Sequence, residues 1–529
     1  MISTLFGCHI AWWLRACLVF VSQMSPLQAE LRLPRVFSDH LVLQAGPPAA
    51  CWGWADPGAT IAVRFVSSAA HAAPVQTATV GADRRWRLRL PPLAAGQAGT
   101  FEISSSSGEK KTVADVLVGE VWFGSGQSNM SYRLDAKNAP SEIMRTAQHE
   151  SAERRPALRF FMTDRKGSDT ALDDVAGAWV VAAPENVGKC SAVAWNFGVA
   201  LRRELHVPVG LIVSAVGGTP VEAWISRSAF DATQVGPAIW ARHHAAIAGY
   251  SPAVEQRHKA LDQAWLAAYP TPESRVANRD SRPRPPYTPE NNYIPTRFYN
   301  GMVHGLVPYT VRGFLWFQAD GNNRQPAEYP ELIRRLITSW REQWGAELPF
   351  YYVEMNNMQA AQSNPVELAP LCLIREAQTA ALALPKTGVV ASIDLGEEDA
   401  HFANKKPVGE RLVGLALAED YDRPGPVRSP EYRSSEFLPD GRVRIAVRYG
   451  DGLQVADGGE VRGFAIRSAE GPWVWGRAKL EGESVLVWSE QVKTPVAVRY
   501  AWARNPVISL INGARLPLRP FRTDTQSPE

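Results

Sequence analysis

The chain of 529 residues is short of three things, and each shortage removes a class of protein. It has only five cysteines, Cys8, Cys17, Cys51, Cys190 and Cys372, far apart and with no CxxC or Cys/His pairing. That spacing excludes a structural zinc site and a disulfide framework, leaving one bridge at most. Excess charge is also missing: 56 Lys+Arg face 53 Asp+Glu, a net charge of +3. Nothing in that balance calls for nucleic acid or an anionic membrane surface as partner. The body of the chain lacks an apolar run of the roughly 18 residues that a membrane-spanning helix needs, so no integral membrane segment is expected. No cofactor and no metal are expected either.

What is present is a leader-like start, a large globular body and many turns. Arg15 precedes the apolar run Ala16–Val21, which ends near Leu27-Gln28-Ala29. This is the pattern of a secretory signal over residues 1–29. An exported protein with so few cysteines suits a bacterial periplasm. The length exceeds one hydrophobic core, so several domains are expected. Residues 30–112 alternate in short runs (Thr60–Val66, Arg85–Leu90, Thr100–Ser104) between turns such as Asp56-Pro57-Gly58. That predicts a β-sandwich-like domain. From 113 to 422, strand patterns (Val116–Phe123, Pro208–Val216, Val311–Phe317, Phe350–Val353, Gly388–Ile393) alternate with helical ones (Ser191–Leu205, Glu331–Trp344, Leu373–Leu384). Such alternation predicts an α/β fold, a parallel sheet sandwiched by helices. A Pro-rich insertion over 251–290 interrupts it, and 423–529 reads as a second β-sandwich-like domain.

The stretch VLVGEVWFGSGQSNM, Val116–Met130, organises the rest. Its β-branched run reads as a buried strand, and Gly124-Ser125-Gly126 forces a turn. Ser128 therefore stands just past the carboxyl end of a strand, where ligands bind in open α/β sheets and where helix N–H groups point. A serine there serves either as a helix N-cap or as a nucleophile with oxyanion donors at hand.

Nearly the whole body of the chain, the Pro-rich insertion excluded, resembles the sialate O-acetylesterase family of SGNH hydrolases, whose sheet is flavodoxin-like. The resemblance begins with LPRVFSDHLVLQ (Leu33–Gln44) and GQSNM (Gly126–Met130). It continues through PVGLIVSAVGGTPVEAW (Pro208–Trp224), YNGMVHGLVPY (Tyr299–Tyr309), LWFQADGNN (Leu315–Asn323) and LIREAQTAALALPKTGVVASIDLG (Leu373–Gly396). HFANKKPVGERL (His401–Leu412), VRYAWARNP (Val498–Pro506) and LPLRPFRTD (Leu516–Asp524) complete it. It implies Ser128 as nucleophile and His401 as its base, with His304 the nearest competing histidine. The implied oxyanion donors are the Ser128 N–H, the N–H of Gly217 or of the adjacent Gly218, and the Asn322 side chain. The third triad position falls on Glu398 or Asp399, or is replaced by a backbone carbonyl. Two departures stand out: the pattern WYQGESN is here Trp316-Phe317-Gln318-Ala319-Asp320-Gly321-Asn322, and Phe402 follows His401 where proline is usual.

The expectation is a metal-independent, secreted carbohydrate O-acetylesterase acting on an O-acetylated glycan, in the first place O-acetylated sialic acid. Acetylated xylan or xyloglucan is the rival substrate. A lipid esterase or thioesterase, and a catalytically decayed glycan-binding protein, are the rival activities.

Overall fold

The computed structural model describes residues 30–68, 73–153, 157–278, 281–367 and 369–524. The expected leader over 1–29, with Cys8 and Cys17, lies outside the described residues. The other three cysteines are buried and unbridged. Among the described residues, no helix is long and apolar enough to cross a membrane.

One strand, Lys110–Gly126, carries the architecture. Its first half pairs antiparallel with Ala98–Ser105 of the N-terminal β-region and parallel with Val42–Gln44. Its second half lies between Val209–Ala215 and Gly313–Phe317, parallel to both. A single strand thus runs through position 112 and joins the β-region to the central sheet. Beyond Gly313–Phe317 come Phe350–Val353 and Thr387–Val390; beyond Val209–Ala215 comes Leu158–Met162, all parallel. Trp179–Val181 closes that edge antiparallel to Leu158–Met162. The sheet is therefore mixed, a correction to the wholly parallel sheet predicted: a three-residue edge strand is too short to show an alternating pattern.

Alternation of side chains along the strands selects the helix on each face. Phe123, Ile212, Phe314, Trp316 and Phe350 share a core with Leu332, Ile333, Leu336, Ile337 and Trp340 of helix Tyr329–Trp344. Phe123 and Trp340 stack at 5.4 Å and 9°. On the other face, Trp122, Leu211, Val213, Leu315 and Tyr351 pack with helices Ala192–Leu205 and Lys406–Asp420. The insertion contributes the largely exposed helix Pro252–Ala268, in which only Trp265 is buried.

The C-terminal region holds two four-stranded sheets. Val443, Ile445, Val485 and Val487 of one meet Phe464, Ile466, Val498 and Tyr500 of the other in a shared core. Its strands include Glu431–Phe437, Val443–Arg448, Phe464–Arg467, Arg477–Glu481, Ser484–Trp488 and Ala497–Tyr500. Arg375 ties this region to the sheet. Its buried guanidinium donates to the carbonyls of Met355, Asn356, Ala503 and Arg504 at 2.7–2.9 Å.

Replacing Arg375 by Ala leaves the buried carbonyls of Met355, Asn356 and Ala503 short of donors, each costing about 1–3 kcal/mol before relaxation. The expected outcome is a fall in melting temperature of roughly 5 °C or more, read by differential scanning fluorimetry. An unchanged melting temperature would contradict this account of the docking.

Candidate active site

The central strand ends at Gly126 with φ of +138°, and a Cβ there would collide with the Phe317 carbonyl oxygen. Only glycine fits that approach. The turn is laced to both neighbouring strands: the Gln127 N–H donates to Phe317 O (3.0 Å), and the Val216 N–H donates to Gly126 O (3.1 Å). Ser128 follows as the first residue of a one-turn helix, half-buried at the carboxyl edge of the sheet. Gly217 lies beside it: a Cβ on Gly217 would stand 3.4 Å from Ser128 Cβ, in van der Waals contact with it. Gly218 takes φ of +70° in the same turn. Asn292, just past the Pro-rich insertion, donates its amide to the Gly217 carbonyl (3.1 Å).

His401 reaches the same edge from another loop. The contact that unites the two is made by Asn129, which donates Nδ2 to Ala400 O at 3.1 Å and to Asn356 Oδ1 at 3.3 Å. Residues 129 and 400 are the immediate neighbours of Ser128 and His401. His304 lies elsewhere, with Nδ1 3.0 Å from Leu172 O.

Of the two acids before the histidine, Asp399 and not Glu398 meets the ring. Asp399 Oδ1 accepts from the His401 N–H at 2.7 Å and lies 3.1 Å from His401 Nδ1. A carboxylate two residues back can cap both groups in one Asx-type turn. The Glu398 side chain is exposed, and its backbone carbonyl accepts from the Gln359 N–H (3.1 Å). The pair itself is open to solvent, with the His401 side chain 43% and the Asp399 side chain 62% exposed, so it orients the ring more than it stabilises the fold.

Asn322 is buried, and its side chain is held by three hydrogen bonds. Its Oδ1 accepts from the Val221 N–H and from Gln318 Nε2, each at 2.9 Å. Its Nδ2 donates to Glu222 Oε2 at 2.7 Å, which commits one of the two amide hydrogens. Glu222 was not singled out in the sequence. Burial pushes its carboxyl up to about 7, against the hydrogen bond from Asn322. In the altered block the Ala319 and Gly321 N–H groups both donate to Gln127 Oε1, at 3.3 and 3.2 Å.

Residues 291–423 match the family described as carbohydrate esterase, sialic acid-specific acetylesterase. The chain is 28% identical to the sialate O-acetylesterase of Rattus norvegicus over 426 residues, 73% of this chain and 72% of that one. To the sialate O-acetylesterase of Homo sapiens it is 27% identical over 416 residues, 73% and 69% of the two chains. The crystal structure of a novel carbohydrate acetylesterase from Xanthomonas citri superimposes with a TM-score of 0.77 at 31% identity, covering 94% of this chain and all of that one. Fold and comparisons together define an ester hydrolase of the carbohydrate esterase class. The chain belongs to the sialic acid-specific acetylesterase family.

Between about pH 4.5 and 7 the native Glu222 keeps a proton that the unfolded chain has lost. The native state then binds more protons, so this group's contribution to stability falls as pH rises through that window. Glu222→Gln removes the effect. The melting-temperature difference, variant minus wild type, should grow between pH 4.5 and 7.5. A difference independent of pH would contradict the assignment.

Proposed function

We propose that the protein is a serine O-acetylesterase that deacetylates carbohydrate by way of an acetyl-enzyme. Ser128 Oγ attacks the acetyl carbonyl carbon while the His401 imidazole takes the hydroxyl proton. The oxyanion is held by the Ser128 and Gly217 N–H groups and by the second amide hydrogen of Asn322. Collapse breaks the bond to the sugar oxygen, which leaves with the proton from His401. Water then attacks the acetyl-enzyme, giving its proton to His401, and acetate departs as Ser128 is restored. Asp399 holds the imidazole in orientation and offsets its charge during both steps. The observation that carries this reading is the Asn129–Ala400 hydrogen bond, which fastens the residues next to Ser128 and His401 to each other.

The strand order supports a flavodoxin-like SGNH sheet. The six parallel strands ending at 126, 162, 215, 317, 353 and 390, numbered in chain order, lie in the order 2-3-1-4-5-6, and the five without Leu158–Met162 lie in the flavodoxin-like order 2-1-3-4-5. The strands at 158–162 and 179–181 extend that edge. Substrate is assigned by class, an O-acetylated saccharide, with O-acetylated sialic acid first on family membership. Acetylated hemicellulose is the second reading; the 31% identity to the Xanthomonas citri carbohydrate acetylesterase supports carbohydrate as the substrate class. The leader-like start of the sequence supports export, to a bacterial periplasm or beyond.

Ser128→Ala should lower kcat on p-nitrophenyl acetate by about 10³-fold or more. Asp399→Asn should lower it by about 10²-fold, and Glu398→Gln by less than about 3-fold. Wild-type protein with no activity would overturn the esterase reading in favour of a glycan-binding protein, and Ser128→Ala with full activity would overturn Ser128 as the nucleophile. Acetate release from O-acetylated sialoglycan and from acetylated hemicellulose, measured side by side, separates the two substrates. Release chiefly from hemicellulose would overturn the sialate assignment and leave the mechanism standing.

A further inference from the structure

Two residues flank His401 in the chain, Ala400 and Phe402, and both are tied to one buried amine. Lys405 is 1% exposed. Its Nζ donates to Asn129 Oδ1 at 2.6 Å and lies 3.3 Å from the centre of the Phe402 ring and 5.0 Å from that of Tyr132. Asn129 in turn holds the Ala400 carbonyl and Asn356 Oδ1. The Asn129 amide has one orientation here. Flipped, it would set its oxygen against the Ala400 carbonyl, which also accepts.

We infer that Lys405 is a positioning residue of the active site: through Asn129 on one side and the Phe402 ring on the other, it fixes the loop that presents His401 to Ser128. The inference rests on the Ser128–His401 mechanism proposed above and adds a residue that touches neither substrate nor reacting atoms. It also gives a reason for a departure seen in the sequence. Phe402 stands where proline is usual, and its aromatic face receives the Lys405 Nζ, an N–H donor in either protonation state. Phe402 is fully buried, so the ring is fixed in place beneath Lys405.

A lysine this deep is costly to the fold. Burial pushes the Lys405 ammonium down to about 6, while Glu397 and Asp399 pull it back up. Tyr132, Phe402 and Asn129 complete the surroundings recorded for the amine. Between about pH 6 and 10 the unfolded chain holds a proton that the native state lacks, so this group's contribution to stability rises with pH across that window. Retaining such a group beside the nucleophile loop suits a role in activity rather than in stability.

The test uses the full-length protein with p-nitrophenyl acetate. Lys405→Met keeps length and apolar stem but cannot donate to Asn129. It should lower kcat by about 10- to 100-fold with KM within about 2-fold of wild type. Its melting temperature should stay within about 3 °C of wild type at pH 7 and lose the rise with pH above pH 6. Asn129→Ala should cause a similar loss of kcat. The double variant should be no worse than about 3-fold below the weaker single one, because the two residues act through one connection. Wild-type kcat in Lys405→Met, or fully multiplicative losses in the double variant, would overturn the inference. If Lys405→Met does not fold, Phe402→Leu serves: kcat should fall by about 3- to 10-fold with KM unchanged, and an unaltered kcat would overturn the inference. Ser128→Ala, assayed in parallel, separates the two failures. A dead Ser128→Ala with a fully active Lys405→Met removes the role of Lys405 alone.

Discussion

Everything at the site depends on how closely two strand ends approach at Gly126. The chain there lies against the Phe317 carbonyl at a distance that admits no Cβ. The turn is held from the other side by the Val216 N–H. Three parallel strands thus end in register at one edge, as the pairs Ala215–Gly126 and Phe317–Gly126 record. Their loops deliver Gly217, Ser128 and the 318–323 segment to a common locus. The fourth contributor, the loop with His401, comes from beyond the outermost parallel strand and is brought in by Asn129 rather than by strand pairing.

The polar groups buried around that locus are expensive. A carboxyl pushed up to about 7 at Glu222 and an ammonium pushed down to about 6 at Lys405 each oppose folding at neutral pH. Each is partnered by an asparagine, Asn322 and Asn129, whose amide then has one orientation. The large aromatic core under the sheet, with Phe123, Trp316 and Trp340 fully enclosed, offsets these costs. Rigid placement of the loops is thereby obtained from buried polar groups held in fixed hydrogen bonds, a means of preorganising oxyanion donors and a general base.

The sequence was most informative where a local pattern had one physical solution. The β-branched run before Gly124-Ser125-Gly126 left little but a buried strand and a turn, and the strand is there. The helix from Glu331 onward, with apolar residues three and four apart, packs as its period demands. Less could be read where partners are far apart in the chain. Lys405 and Asn129 both lie in stretches that resemble the family, yet 276 residues separate them and neither carries a local sign of the contact. Glu222 is likewise 100 residues from Asn322. The choice between Glu398 and Asp399 turned on whether a carboxylate could reach both the backbone and ring nitrogens of His401, which composition does not encode. Trp179–Val181 escaped because three residues show no period.

The claim that these loops build one acylating centre is tested most directly by trapping the intermediate. The protein is mixed with p-nitrophenyl acetate, quenched in acid within milliseconds and digested, and the peptides are weighed. The account predicts one added acetyl group, on the peptide that carries Ser128, appearing before steady-state turnover and decaying once substrate is exhausted. Rapid turnover with the acetyl group on another residue, or on none, would contradict it.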